Sequence, residues 1–174
     1  MNSLARLILC IAALGLAAFW HPAPVAANDL PVPEGPVLLT VTGAIDTTNA
    51  EDAAHFDLDM LQAVGTETFE TSTIWTEGTQ SFTGVPLQAL MARLGVDQGT
   101  IRATAINDYA IEIPLDDPTS QAAILAFAID GSPISRRQKG PLWLVYPFDS
   151  GTQFRSEVIY ARSIWQLDRI HVLP

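Results

Sequence analysis

The chain has 174 residues, a single cysteine and an acidic balance, with 19 acids against 9 bases for a net charge of −10. The length suits one compact domain behind a short leader, and the charge argues against nucleic acid or an anionic membrane surface as a partner. The cysteine is the sharper exclusion: Cys10 lies inside the leader, so the rest of the chain has no disulfide, no thiol nucleophile and no thiolate metal ligand.

The leader has the three parts of an export signal. Met1–Arg6 carries one positive charge, Leu7–Trp20 is apolar, and Val25-Ala26-Ala27 sets small residues where a signal peptidase cleaves. The apolar run is short for a bilayer span, and Leu9 stands before Cys10 where lipidation needs a small residue. Residues 1–27 are therefore expected to be a signal peptide cleaved near Ala27. Residues 28–174 are expected to form one domain in the periplasm, not spanning the membrane once the signal is gone. Within them charge is uneven: Asn28–Ser135 holds sixteen acids and only Arg93 and Arg102, whereas Arg136–Pro174 holds six bases and three acids.

After a Pro-rich lead-in, Val37–Ile45 alternates as a strand, and Thr47–Ala54 begins a turn. Phe56, Met60 and Leu61 have helical spacing, so Leu58–Val64 is a short helix closed by Gly65, with His55 at its start. Thr-rich Thr66–Ser81 suggests one or two strands. Phe82–Leu87 reads as a turn with Pro86 opening a helix, whose stripe is Leu87, Leu90, Met91 and Leu94. Ile101–Ile106 and Tyr109–Ile113 form a hairpin about Asn107-Asp108. Thr119 or Ser120 caps a short helix around Gln121–Ala123, and Ile124–Ile129 is an apolar strand ended by Asp130-Gly131.

Leu142–Tyr146, bounded by Gly140-Pro141 and Pro147, reads as a buried strand, central to the domain. Arg136, Arg137 and Lys139 precede it; Asp149, Ser150, Gly151 and Arg155 follow. A rigid strand with cations before it and a polar glycine loop after it is one way to hold a small anionic or polar ligand, and a core strand with solvated flanks is the plainer way. Val158–Tyr160 is short and apolar, and Ser163–Val172 alternates as an antiparallel closing strand. Many short strands with two or three short helices make an α+β domain.

Four blocks, in order, resemble the molybdopterin-binding domain of the sulfite oxidase superfamily: Phe82–Val96, Asn107–Pro118, Ile124–Ser135, and Lys139–Pro147 followed by Ser163–Val172. Together they cover nearly all of Val37–Pro174. The resemblance implies mixed, curved β-sheets with a few short helices and a pterin or molybdopterin-like ligand. Catalytic members hold molybdenum through a cysteine about a dozen residues before the turn that is Gly84-Val85-Pro86-Leu87 here, and this chain has Thr71-Ser72-Thr73-Ile74-Trp75 in that neighbourhood. A neutral hydroxyl is a far weaker ligand than a thiolate, so no molybdenum is expected and no catalytic residue is assigned. The resemblance extends to small exported members without the cysteine, which look like pterin-binding regulators reporting to a membrane signalling protein, often a cyclic-di-GMP enzyme.

A pterin has a flat ring and an edge bearing an amino group beside a ring N–H, so it asks for aromatic faces, a carboxylate and a cation. The candidates are Trp75 and Glu77 in the loop that replaces the cysteine, Asp108 and Tyr109 at the hairpin turn, Arg136, Arg137 and Lys139 before the strand, and Asp149 and Arg155 after it. Each has a structural alternative: Trp75, Trp143 and Trp165 as core, Tyr109 as a strand aromatic, Asp108 as a turn residue, the arginines as solvated charge. His21, His55 and His171 lack metal-ligand spacing, and a Ser72–His171 hydrolase pair has no supporting motif. The expectation is an exported pterin-binding protein that relays ligand state. The alternatives are a molybdopterin-dependent periplasmic oxidoreductase and a ligand-free interaction module.

Overall fold

The structure, a computed structural model, describes residues 30–174. The expected signal peptide lies outside the described residues.

Alternating apolar residues build the first strand, β1 (Leu39–Gly43), in which Leu39 and Val41 are buried. β2 (Ala53–Phe56) returns against it. Phe56 and His55 therefore belong to a strand and not to a helix start. The helix α1 (Leu58–Val64) begins only at the cap Asp57, whose carboxylate accepts the Met60 N–H at 2.9 Å. The same carboxylate takes the N–H groups of Glu34 and Gly35, which pins the lead-in segment to this corner.

β3 (Glu67–Ser72) and β4 (Thr79–Pro86) form a long antiparallel pair. Here the sequence expectation is corrected. Phe82–Pro86 is not a turn but the inner half of β4, paired along one edge with a buried strand, while β3 pairs with Thr79–Gly84 on the other edge. Gly84 makes this possible, because a Cβ there would stand 2.3 Å from the Leu125 carbonyl oxygen. Helix α2 (Leu87–Arg93) starts directly from the strand and buries Leu87, Leu90 and Met91 as its spacing predicts.

β5 (Thr100–Ala105) and β6 (Ala110–Pro114) are the expected hairpin. β7 (Ile124–Ile129) is apolar throughout because both its edges and faces are covered: β4 pairs on one side, and the short strands β8 (Ser132–Pro133) and β9 (Trp143–Val145) on the other. The central strand is thus β7. β9, though wholly buried, is a three-residue outer partner. Helix α3 (Glu157–Arg162) contains Val158–Tyr160, capped by Ser156. The last strand, β10 (Leu167–Val172), starts later than its alternation suggests and is parallel to β1 while antiparallel to β5.

Two open sheets result, β2-β1-β10-β5-β6 and β3-β4-β7-β8 with β9 on β7, around one hydrophobic core. The segment Lys139–Leu144 stitches them together. Leu144 N–H donates to Ile164 O, Gln166 N–H to Lys139 O and Leu167 N–H to Leu142 O, and Trp143 bridges Trp165. This seam positions the site.

Candidate functional site

The loop after β3 is shaped by hydroxyls. Thr73 Oγ1 accepts the Trp75 N–H at 3.0 Å and lies 2.7 Å from Thr76 Oγ1, a local turn that turns the Trp75 indole back onto the seam. There Trp75 meets four rings edge-on: Trp143, Trp165, Tyr160 and Phe148, with centroids 5.9, 5.6, 5.9 and 6.1 Å away. Such tilted contacts set the positive edge of one ring against the negative face of the next, and they hold the indole in one orientation. The buried Trp143 gives its Nε1–H to Ser163 O at 3.1 Å, which fixes the base of the cluster.

Trp75 lines two clefts, and a third lies beyond its ring neighbours Phe148 and Tyr160. The first, about 350 Å³, lies between Trp75, Trp165, Tyr160 and the hairpin turn carrying Asn107 and Tyr109. It is aromatic on its walls, and Asn107 and Tyr109 supply polar groups at its edge. The second, about 450 Å³, opens on the other side of Trp75 toward Gln80, Asp130, Ser132, Lys139 and Trp143. The third, about 220 Å³, is bounded by Ser72, Ile74, Phe148, Asp149, Arg155 and Tyr160.

Electrostatics differ among the three. Lys139 adopts a left-handed backbone and places its Nζ 5.0 Å from the centre of the Trp165 ring and 5.7 Å from that of Trp143. In the third cleft, Asp149 Oδ1 accepts from the Ser72 hydroxyl and from Arg155, each within 2.9 Å, and Oδ2 takes the Ser72 N–H. Led by that backbone N–H, these donors hold the Asp149 carboxyl below the usual carboxylate range.

The sequence candidates divide accordingly. Trp75, Tyr109 and Lys139 converge on one region, and Asp149 with Arg155 lies beside it. Asp108 turns away: its left-handed backbone makes the hairpin corner and its carboxylate pairs with Arg169 at 2.8 Å. Glu77 is exposed in the β3–β4 loop, and Arg136 and Arg137 are exposed in a 3₁₀ turn; none of these three lines the clefts. Sequence reasoning passed over Tyr160 and Gln80, weighed Ser72 only as a hydrolase nucleophile, and assigned Trp165 to the core, where it is in fact 38% exposed and forms a cleft wall. Only the short apolar stretch Val158–Tyr160 carried a signal.

The family model for the oxidoreductase molybdopterin binding domain matches residues 50–156, which run from β2 through Arg155 of the third cleft. The chain belongs to that family. It is a sulfite-oxidase-type molybdopterin-binding domain. A solved relative in fold is the sulfane dehydrogenase SoxCD from Paracoccus pantotrophus, with 19% identity, a TM-score of 0.54 and coverage of 78% of this chain. The chain spans 37% of that protein's length. No curated protein matches it in sequence.

The clefts of this molybdopterin-binding domain suit the organic part of such a cofactor. The first has the size of a small-ligand pocket, flat walls and a few hydrogen-bonding groups at its edge. They do not suit the metal in the same way. Ser72 spends its hydroxyl hydrogen on Asp149, no thiolate exists among the described residues, and no cluster of three or more His, Cys, Asp or Glu there could hold an ion.

Proposed function

We propose that this domain is an exported, non-catalytic pterin-binding protein that captures its ligand in the cleft between Trp75, Tyr109, Tyr160 and Trp165. In this reading the chain supplies ring walls and hydrogen bonds but no ligand to molybdenum. The observation that carries it is the Trp75 cluster: an indole fixed by four ring contacts and presented to a cleft of ligand size. Family membership supports a pterin as the flat ligand, whose amino and N–H edge can meet Asn107 while its faces meet Trp165 and Tyr160.

The bound state is relayed to a membrane signalling partner. Support for a relay comes from exposed apolar residues beside the cleft: Ile74 is 62% exposed, Tyr109 50% and Val158, on the helix that carries Tyr160, 55%. A partner seated there would sense whether the cleft is filled.

Titration with oxidised and reduced pterin, followed by tryptophan fluorescence, tests the binding step. Saturable quenching at micromolar ligand is expected in the wild type and its loss in Trp75→Ala; a flat titration would sink the reading. Stoichiometric molybdenum in protein purified from its native compartment would replace it with a molybdopterin-dependent oxidoreductase. Photo-cross-linking from position 74 or 158 in cells tests the relay, which fails if no membrane protein is captured in a pterin-dependent way.

A further inference from the structure

The second cleft has a chemistry that the aromatic cleft lacks. Gln80, from the outer half of β4, lines this cleft, and its Oε1 is buried and has no hydrogen-bond partner. A buried acceptor left without a donor is costly, so such groups in folded proteins ordinarily find one. On the same cleft stands Lys139. No carboxylate pairs with it among the described residues; its ammonium is held instead over the Trp143 and Trp165 rings. An indole face steadies a cation without neutralising it, so the charge remains available to an anion.

Two further groups narrow the ligand. Asp130 also lines the cleft, with Oδ1 accepting the Ser81 N–H at 2.9 Å. A carboxylate there repels a compact, fully ionised oxyanion and welcomes a hydroxyl donor. Ser132 adds a hydroxyl that can either donate or accept. Trp75 supplies a flat, apolar wall, which suits the C–H face of a hydroxylated carbon chain or ring.

We propose that this cleft is a second binding compartment, for a small polyhydroxylated anion, with Lys139 meeting its charge and Gln80 accepting from one of its hydroxyls. The anion is either a free sugar acid or the arm of a ligand whose ring lies in the aromatic cleft, across Trp75. The compartment does not depend on the pterin reading, since none of its recognising groups belongs to the first cleft.

Calorimetric titration of the purified protein with gluconate, glucose and succinate tests it. Gluconate carries charge and hydroxyls, glucose only hydroxyls, and succinate only charge. Gluconate should bind at least on the order of tenfold more tightly than either control. Lys139→Gln should erase the advantage over glucose while Lys139→Arg restores most of it, and Gln80→Leu should erase the advantage over succinate. Equal binding of all three probes, no saturable gluconate binding, or gluconate binding indifferent to Lys139→Gln would overturn the proposal. Competition with pterin separates the sources: mutual exclusion marks the arm of one ligand and independent binding a free anion, and either upholds the compartment. Pterin binding without gluconate binding would sink this inference and leave the first reading standing; the reverse would do the opposite.

Discussion

Ser72 gives both its backbone N–H and its hydroxyl to the Asp149 carboxylate, at 2.5 and 2.9 Å, and so ties the end of β3 to a loop 77 residues away. The Asp149 N–H returns the contact to Thr71 Oγ1 at 3.0 Å. Together these contacts hold the β3 end shut against the loop that follows β9.

The clasp has a pH signature. The carboxyl of Asp149 is lowered in the fold, first by the Ser72 N–H, so its contribution is complete above the ordinary carboxylate range and is lost as pH falls through and below it. Asp149→Asn should therefore flatten the acid limb of the urea midpoint between about pH 5 and pH 2. An acid limb identical to wild type would refute the clasp's role.

Trp75 is held by ring contacts on four sides, so its removal should affect stability as well as binding. Trp75→Ala is expected to cost about 3 kcal/mol in urea unfolding, and Trp75→Phe about 1 kcal/mol. If Trp75→Ala unfolds like wild type, the indole is a solvated loop residue and the cluster means little.

Arg162, with a side chain only 12% exposed, pairs with Asp117 at 2.7 Å. Together with the Thr119 hydroxyl and N–H, it pulls the Asp117 carboxyl down to about 2. The sign is the same as for Asp149: the stabilisation is present above about pH 4 and drains away as pH falls toward 2. Arg162→Ala should cost on the order of 1–2 kcal/mol at neutral pH, and less near pH 2. A cost independent of pH would assign Arg162 to packing alone.

At Gly84, β4 is paired on both edges, with Glu67 of β3 and Ala126 of β7, and its register against β7 shifts between Thr83 and Gly84. A Cβ there meets backbone atoms of Leu125 and Ala126, none of which belongs to a flexible side chain. Gly84→Ala is expected to destabilise the fold by on the order of 2–4 kcal/mol, measured by chemical unfolding. A near-neutral result would mean that the two strands part easily.

Local pattern carried far in this chain. The stripe Leu87, Leu90 and Met91 buries as its spacing predicts, and Asn107-Asp108 turns the hairpin. Where it failed, pairing had intervened: Phe82–Pro86 has the residues of a turn, but β7 and β3 hold it extended. Val158–Tyr160 has too few residues to show a period, so its helical state was hidden until Ser156 capped it.

By itself, the sequence determined the class of domain, helices α1 and α2, the β5–β6 hairpin, and the lack of any thiolate beyond Cys10, because periodicity and composition act over a few residues. Which candidates share a site was decided only in three dimensions. The arginines nearest Lys139 point to solvent while Lys139 itself lies over two indoles, and Asp149 spends its charge on Ser72 and Arg155. A side chain's direction follows from backbone handedness and long-range pairing, and the seam that joins Lys139–Leu144 to the residues before β10 closes only when both sheets are in place.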